Sequence, residues 1–258
     1  MTKIKKIIFW VACVIFIAGL SWCTHWFITT YLNGEFHKHP SVESSDSTEN
    51  TNTESQEAPE LKDNPIDFAA EKKEYPDIYA WIDIPNTNIS YPVVQSPTDD
   101  SYYLNHNAKK EYTKAGAIYS ELKNNKDFSD PNTVLYGHNM LNGSMFRDLH
   151  KFRKDEEFWN NNKYIYIYTP GHILTYEICA AYKYDNRHIL NSFDFSDEAI
   201  FEEYLETVKN PKSLIVRKRE PQVEINKDSK ILTLSTCISD PAYRYLVQGV
   251  LIKDEPTK

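Results

Sequence analysis

Cys237 ends the segment Thr233-Leu234-Ser235-Thr236-Cys237, directly after the alternating run Lys230-Ile231-Leu232-Thr233-Leu234. Seven residues on, Arg244 opens another strand-like run, Arg244-Tyr245-Leu246-Val247-Gln248-Gly249-Val250. Upstream, Tyr136-Gly137-His138-Asn139 places a histidine just after a third apolar run, Thr133-Val134-Leu135. A thiol, an imidazole and a guanidinium at strand ends supply the parts of acyl transfer through sulfur: a nucleophile, a proton carrier, and fixed positive charge where an oxyanion develops. Thiolate is the reactive form of cysteine. A free cysteine and a free histidine, with pKa values of about 8.5 and 6.5, form thiolate and imidazolium together in about one pair in a hundred near pH 7.5. A permanently charged arginine favours the thiolate and can donate to the oxyanion. The histidine protonates the leaving amine and later takes a proton from the incoming one. Taken singly, each residue has a plainer reading: a core cysteine, a turn histidine, a solvated arginine. His106, His150, His172 and His188 read as surface or turn residues, and Cys179, inside Tyr176-Glu177-Ile178-Cys179-Ala180-Ala181, as a small buried hydrophobe. A Cys179–Cys237 bridge would consume the candidate nucleophile.

From about residue 64 to 252 the chain resembles the sortases, the cysteine transpeptidases of Gram-positive cell envelopes. The resemblance is carried by the Thr-Leu-Ser-Thr-Cys segment, the arginine after it and the Tyr-Gly-His-Asn segment before it. The run from Asn132 to Met140, continued by Gly143-Ser144-Met145-Phe146, is similar to class B sortases. So is Ile89-Ser90-Tyr91-Pro92-Val93-Val94-Gln95 followed by Tyr102-Tyr103-Leu104-Asn105. The connection from Cys237 to Arg244 is short for that class. The resemblance implies that His138, Cys237 and Arg244 are catalytic. It implies cleavage of a C-terminal sorting motif of secreted surface proteins between Thr and Gly, through a thioester on Cys237. An amine of the peptidoglycan precursor would release the product. It implies that Ser235 lines the peptide groove and that Leu104 and Asn105 lie in its wall. Thr236, beside the nucleophile, and Tyr204, on an inserted helix, are further candidates for substrate contact, with core packing the alternative for Tyr204. Asp240 either orients His138 or is a solvated loop acid. Three other readings stay open. A cysteine endopeptidase would hand the same acyl group to water, and a pilin-polymerising sortase would use a different amine. An inert envelope-anchored binding module is the third, and the intact Cys237, His138 and Arg244 argue against it.

The elements that must position these residues are mostly strands. Tyr164, Tyr166 and Tyr168 alternate with Ile165 and Ile167, a period of two. Runs at 89–94, 115–119, 133–136, 173–184, 213–219, 230–236 and 244–252 read likewise. Many short strands with polar connections point to a closed all-β architecture. The resemblance makes it an eight-stranded barrel with N-terminal helices and one helix inserted between late strands. Helices are expected at 65–80, broken by Pro76, at 144–152 with Met145, Phe146, Leu149 and Phe152 inward, and at 196–210. The last has Ser196 as cap and an apolar stripe of Ile200, Phe201, Tyr204, Leu205 and Val208, stopped by Pro211.

With 258 residues and 41% hydrophobic content the chain can bury one sizeable core. A net charge of −8 argues against a nucleic-acid partner. No metal-ligand or phosphate-loop motif is present in the sequence, and neither metal nor cofactor is expected. Residues 7–28 form a nearly continuous apolar run preceded by Lys3, Lys5 and Lys6. At 1.5 Å per residue it is about 30 Å long, the thickness of a bilayer core. The expectation is a single-pass membrane anchor with residues 1–6 cytoplasmic and a catalytic domain, 64–258, on the extracellular face; a cleaved signal peptide is the rival. Residues 29–63, rich in Ser, Thr, Glu and Asn, read as a disordered tether with a reach of roughly 30–35 Å.

Overall fold

The computed structural model describes residues 61–258. Strands dominate it: β1 Ile78–Asp83, β2 Ser90–Val94, β3 Ile118–Tyr119, β4 Asn132–Tyr136, β5 Tyr164–Thr169, β6 His172–Asp185, β7 Val216–Lys218, β8 Ile231–Cys237 and β9 Tyr243–Pro256. The hydrogen-bonded order is β5-β1-β2-β3-β4-β8-β9-β6, and β6 pairs back to β5, which closes an eight-stranded barrel. The long β6 makes this possible by dividing one of its edges. Its first half pairs with β5, from Thr169↔His172 to Tyr164↔Glu177, and its second half pairs with β7 at residues 180–182. Two pairings are parallel, β2–β3 and β4–β8. The barrel is therefore mainly β with flanking and inserted helices, as expected.

Side-chain alternation sorts the apolar residues onto two faces. On β8, Leu232 and Leu234 enter the barrel interior beside Ile82, Val93, Ile167 and Val247. The neighbouring positions turn outward, where Ile231, Val134, Leu246 and Val250 meet the inserted helix Glu198–Lys209. That helix lays Phe201, Tyr204, Leu205 and Val208 on this outer patch. Each apolar side chain so covered contributes roughly 1.5–3 kcal/mol. Asp197, rather than Ser196, caps the helix, accepting from the amides of Ala199 and Ile200.

Tyr204 lies inside this packing. Its hydroxyl accepts from Gln248 Nε2 at 2.8 Å, and Gln248 Nε2 also reaches Thr233 Oγ1 at 2.9 Å. Thr233 Oγ1 in turn donates to Asn132 Oδ1 at 2.8 Å. This buried network binds the helix to three barrel strands, so Tyr204 serves packing.

Several local expectations are corrected. The helix expected at 65–80 is the shorter Phe68–Glu74, capped by Asp67, because Ile78 begins β1. Every residue of β1 is buried, so its run has no polar face and does not show a strand's alternation. The helix expected at 144–152 is a 3₁₀ turn, Phe146–His150, followed by a short helix, Lys151–Lys154. Its inward residues Phe146, Leu149 and Phe152 are as anticipated. The fold also begins slightly before residue 64, since Lys62 bridges to Thr257.

The expected single-pass topology, with the membrane as a partner through an N-terminal helix, is not borne out. Among the described residues no helix is long and apolar enough to cross a membrane. The longest of them, Glu198–Lys209, has 12 residues, where a span needs about 20. The apolar run at 7–28, the segment 1–6 and the tether up to residue 60 lie outside the described residues.

Candidate active site

The barrel topology explains why three residues far apart in sequence share one rim. β4 and β8 run parallel with Tyr136 opposite Ser235, so the two strands end on the same side. His138 follows two residues past the end of β4, on the rim where Cys237 ends β8. β8 and β9 are antiparallel with Cys237 opposite Arg244. Alternation puts Val134 and Tyr136 on the outward face of β4, Ser235 and Cys237 on that of β8, and Arg244 and Leu246 on that of β9, and His138 joins Cys237 and Arg244 at the rim. The inserted helix covers this face further down the strands, and the three polar side chains emerge beyond its cover.

A pocket of about 210 Å³ lies there, lined by Leu104, His138, Ser235, Thr236, Cys237 and Arg244 among others. Cys237 is exposed with a free thiol. His138 Nε2 donates to the carbonyl of Leu104 at 2.8 Å. Arg244 Nη1 donates to the carbonyls of Pro241 and Tyr243 at 3.2 and 3.0 Å. Two glycines permit this closeness. At Gly116, with φ of +62°, a Cβ would lie 2.6 Å from the carbonyl oxygen of Tyr103 and 2.7 Å from that of Leu104. At Gly137 a Cβ would lie 2.5 Å from Ile118 Cδ1 and 2.7 Å from Phe146 Cδ2. The histidine's acceptor and the histidine's own strand end thus both depend on the missing side chain.

The other candidates divide. Ser235 is buried in the pocket wall, and Thr236 is tied down, its Oγ1 donating to the Gly137 carbonyl at 2.7 Å. Asn105 is exposed outside the pocket lining, its carbonyl accepting from the Thr113 amide. Tyr204 does not line the pocket. Asp240 Oδ1 accepts from the Ala242 amide within its own turn, which makes it a loop residue. Cys179 is buried and free, and burial pushes its thiol up to about 12.

The structure also brings in residues read as surface groups. His188 is half-buried in the pocket wall and its Nε2 lies 2.7 Å from Glu121 Oε1. Its Nδ1 accepts from the Asn191 amide, so Nε2 carries the proton and donates to the carboxylate. Burial raises the Glu121 pKa and the His188 hydrogen bond opposes the rise. His150 is only 4% exposed, and its Nε2 lies 3.1 Å from the Cys237 carbonyl. No spacing in the sequence marks Glu121, His188 or His150, whereas Asn139 stands beside His138 in the motif.

Burial lowers the His150 pKa from an ordinary 6.5 to about 4, with the cations Arg153, Arg147 and Lys154 contributing. Between these values the unfolded chain binds a proton that the folded protein refuses, so stability falls as pH drops from about 6.5 towards 4. The expected loss from this group is on the order of 2–3 kcal/mol. Urea denaturation at stepped pH will measure it, and His150→Gln will flatten that part of the profile. Equal slopes in both proteins would remove the assignment.

A sortase domain family model matches residues 82–252 of the chain. Sortase B of Listeria monocytogenes is 36% identical over 181 residues, covering 68% of this chain and 70% of that protein. Among solved structures, Clostridium perfringens sortase B superposes with a TM-score of 0.63 at 36% identity, covering 72% of this chain and 99% of that one. A Staphylococcus aureus sortase B–substrate complex gives a TM-score of 0.63 at 28% identity, covering 72% of this chain and 84% of that one. Barrel order, strand-end placement of Cys237, His138 and Arg244, and these matches together establish that the chain belongs to the sortase family and, within it, to class B.

Proposed function

We propose that Cys237, His138 and Arg244 carry out the chemistry of this class B sortase, a cysteine transpeptidase that acts on a C-terminal sorting motif and transfers the product to peptidoglycan. One observation supports the roles above all. The only exposed thiol among the described residues sits at a strand end, with an arginine as its cross-strand partner and a histidine on the adjoining strand end.

In the first half-reaction the Cys237 thiolate attacks the carbonyl of the motif's threonine. Arg244 stabilises the resulting oxyanion. With Nη1 held by two loop carbonyls, its Nε and Nη2 protons remain to donate. Collapse of the tetrahedral intermediate breaks the peptide bond, leaves a thioester and expels an amine that takes a proton from His138. Because a carbonyl can only accept, the contact with Leu104 keeps a proton on Nε2, and Nδ1 is the nitrogen that exchanges protons with the reacting groups. In the second half-reaction the peptidoglycan amine attacks the thioester, gives its proton to His138 and releases the thiolate. Ser235 and Leu104 flank the thiol in the pocket and are proposed to contact the motif.

The assay that tests this uses LPxTG-, NPxTN- and SPxTG-like peptides, each incubated with and without a small amine. One motif is expected to be cleaved, with the amine joined to the new carboxyl end. Hydrolysis with no amine incorporation would make the enzyme an endopeptidase. Inertness of the folded protein towards every motif would return the binding-module reading.

A further inference from the structure

At its strand end Cys237 runs out of backbone partners on the β4 side. The Ser235 carbonyl still accepts from the Gly137 amide at 3.2 Å. The Cys237 carbonyl, two residues on, points the same way, but there the partner chain has turned away. Two side chains take the place of the missing amide: Asn139 Nδ2 donates to the Cys237 carbonyl at 2.9 Å and His150 Nε2 at 3.1 Å. Arg147 Nη1 donates to Asn139 Oδ1 at 2.9 Å, which fixes the amide with its NH₂ towards Cys237. The chain between these residues is folded back on itself. The Phe146 amide donates to the His138 carbonyl at 2.9 Å, and Asn139 bridges to Met145.

His150 is an unusual choice for a merely packed position. Its ring stacks on Tyr245 with centroids 5.0 Å apart, and its Nδ1 is buried without a partner. An apolar ring would fill the same space and leave no orphan nitrogen, which costs stability when buried. The bond to the Cys237 carbonyl is what the imidazole adds. Asn139 is the chain neighbour of His138, so its one amide links the residue that attacks the substrate to the residue that carries protons to and from it.

We propose that Asn139 and His150 are positioning residues of the transpeptidase, clamping the Cys237 carbonyl from two sides and thereby holding the thiol in the place from which both half-reactions proceed. The inference rests on Cys237 being the nucleophile. Acyl transfer is sensitive to placement, since an error of about 1 Å costs on the order of 10²-fold in rate.

The test is steady-state transpeptidation by the full chain carrying Asn139→Ala, Asn139→Asp, His150→Phe, His150→Gln or Cys237→Ala. Thermal melting and the alkylation rate at Cys237, read by peptide mass spectrometry, accompany it. Asn139→Ala and Asn139→Asp are expected to lose at least about 10-fold in kcat with KM within about 3-fold, because the clamp acts on the reacting sulfur and not on peptide binding. His150→Phe keeps the stacking and loses the donor, so kcat falls about 5-fold or more. His150→Gln restores a donor and recovers most of that loss. The alkylation rate changes in the same order, while the melting temperature does not follow it. If the Asn139→Ala chain does not fold, Asn139→Asp, which keeps the size of the side chain, and the His150 pair decide. The proposal is overturned if the folded Asn139 variants keep kcat within 2-fold of the parent, or if His150→Gln and His150→Phe lose equally. Cys237→Ala separates this from the reading beneath it: a Cys237→Ala chain that still transfers shows that the nucleophile itself was misassigned.

Discussion

Cys237→Ala abolishes transpeptidation, with a loss on the order of 10⁴-fold or more, the scale on which acyl-transfer enzymes respond to removal of their nucleophile. No covalent peptide adduct accumulates on this variant, whereas the parent gives a thioester detectable by intact-mass spectrometry when the amine is withheld. Folding is unaffected, because the side chain is exposed at the last residue of β8 and fills no core space. Cys179 offers no rescue: it is buried, its sulfur donates to the Gln248 carbonyl, and burial pushes its pKa up to about 12. An acyl adduct mapped to the Cys237→Ala chain would end the assignment.

Arg244→Ala loses at least about 10²-fold in kcat, the usual consequence of removing an oxyanion donor. Binding of the sorting peptide changes less, since the interaction strengthens only as the oxyanion develops. Arg244→Lys keeps the charge and loses the planar fork. In the structure the guanidinium uses that fork twice over, with Nη1 committed to the carbonyls of Pro241 and Tyr243 and its other protons available. An ammonium cannot hold both loop carbonyls and still present donors in a fixed direction, so the lysine variant retains only part of the activity. Steady-state kinetics on the three proteins, with alkylation rate against pH to follow the thiolate, make the comparison. A kcat for Arg244→Ala within a few-fold of the parent would make Arg244 a structural cation.

The proposed catalytic residues were readable because each stands at or next to the end of a strand-like run, and a strand end is a local property: Cys237 closes β8, Arg244 is the second residue of β9, and His138 lies two residues past β4. The inserted helix was readable for the same reason, its stripe of Phe201, Tyr204, Leu205 and Val208 being a local pattern at helical spacing. What escaped is held by partners far away along the chain. The Asn139–Cys237, His150–Cys237 and His188–Glu121 contacts span 98, 87 and 67 residues. Nothing near His150 or Glu121 announces that the barrel folds a carbonyl or an imidazole onto it. β1 was misread for a different reason: with both faces buried it lost the alternation that distinguishes a strand from a buried helix. Tyr204 stood open between substrate contact and core packing, and the structure buries its hydroxyl beside Asn132, Thr233 and Gln248.

The position of β9 sets a timetable. It lies between β8 and β6, so two of the eight seams of the ring are its own, yet it is synthesised after all the other strands. Its pairing with β6 joins residues as far apart as His172 and Pro256, the kind of distant contact that slows folding. While translation is short of Tyr243, β8 presents a bare edge and Cys237 has no arginine across from it. Closing the ring and setting Arg244 across from Cys237 are therefore one and the same late event in folding.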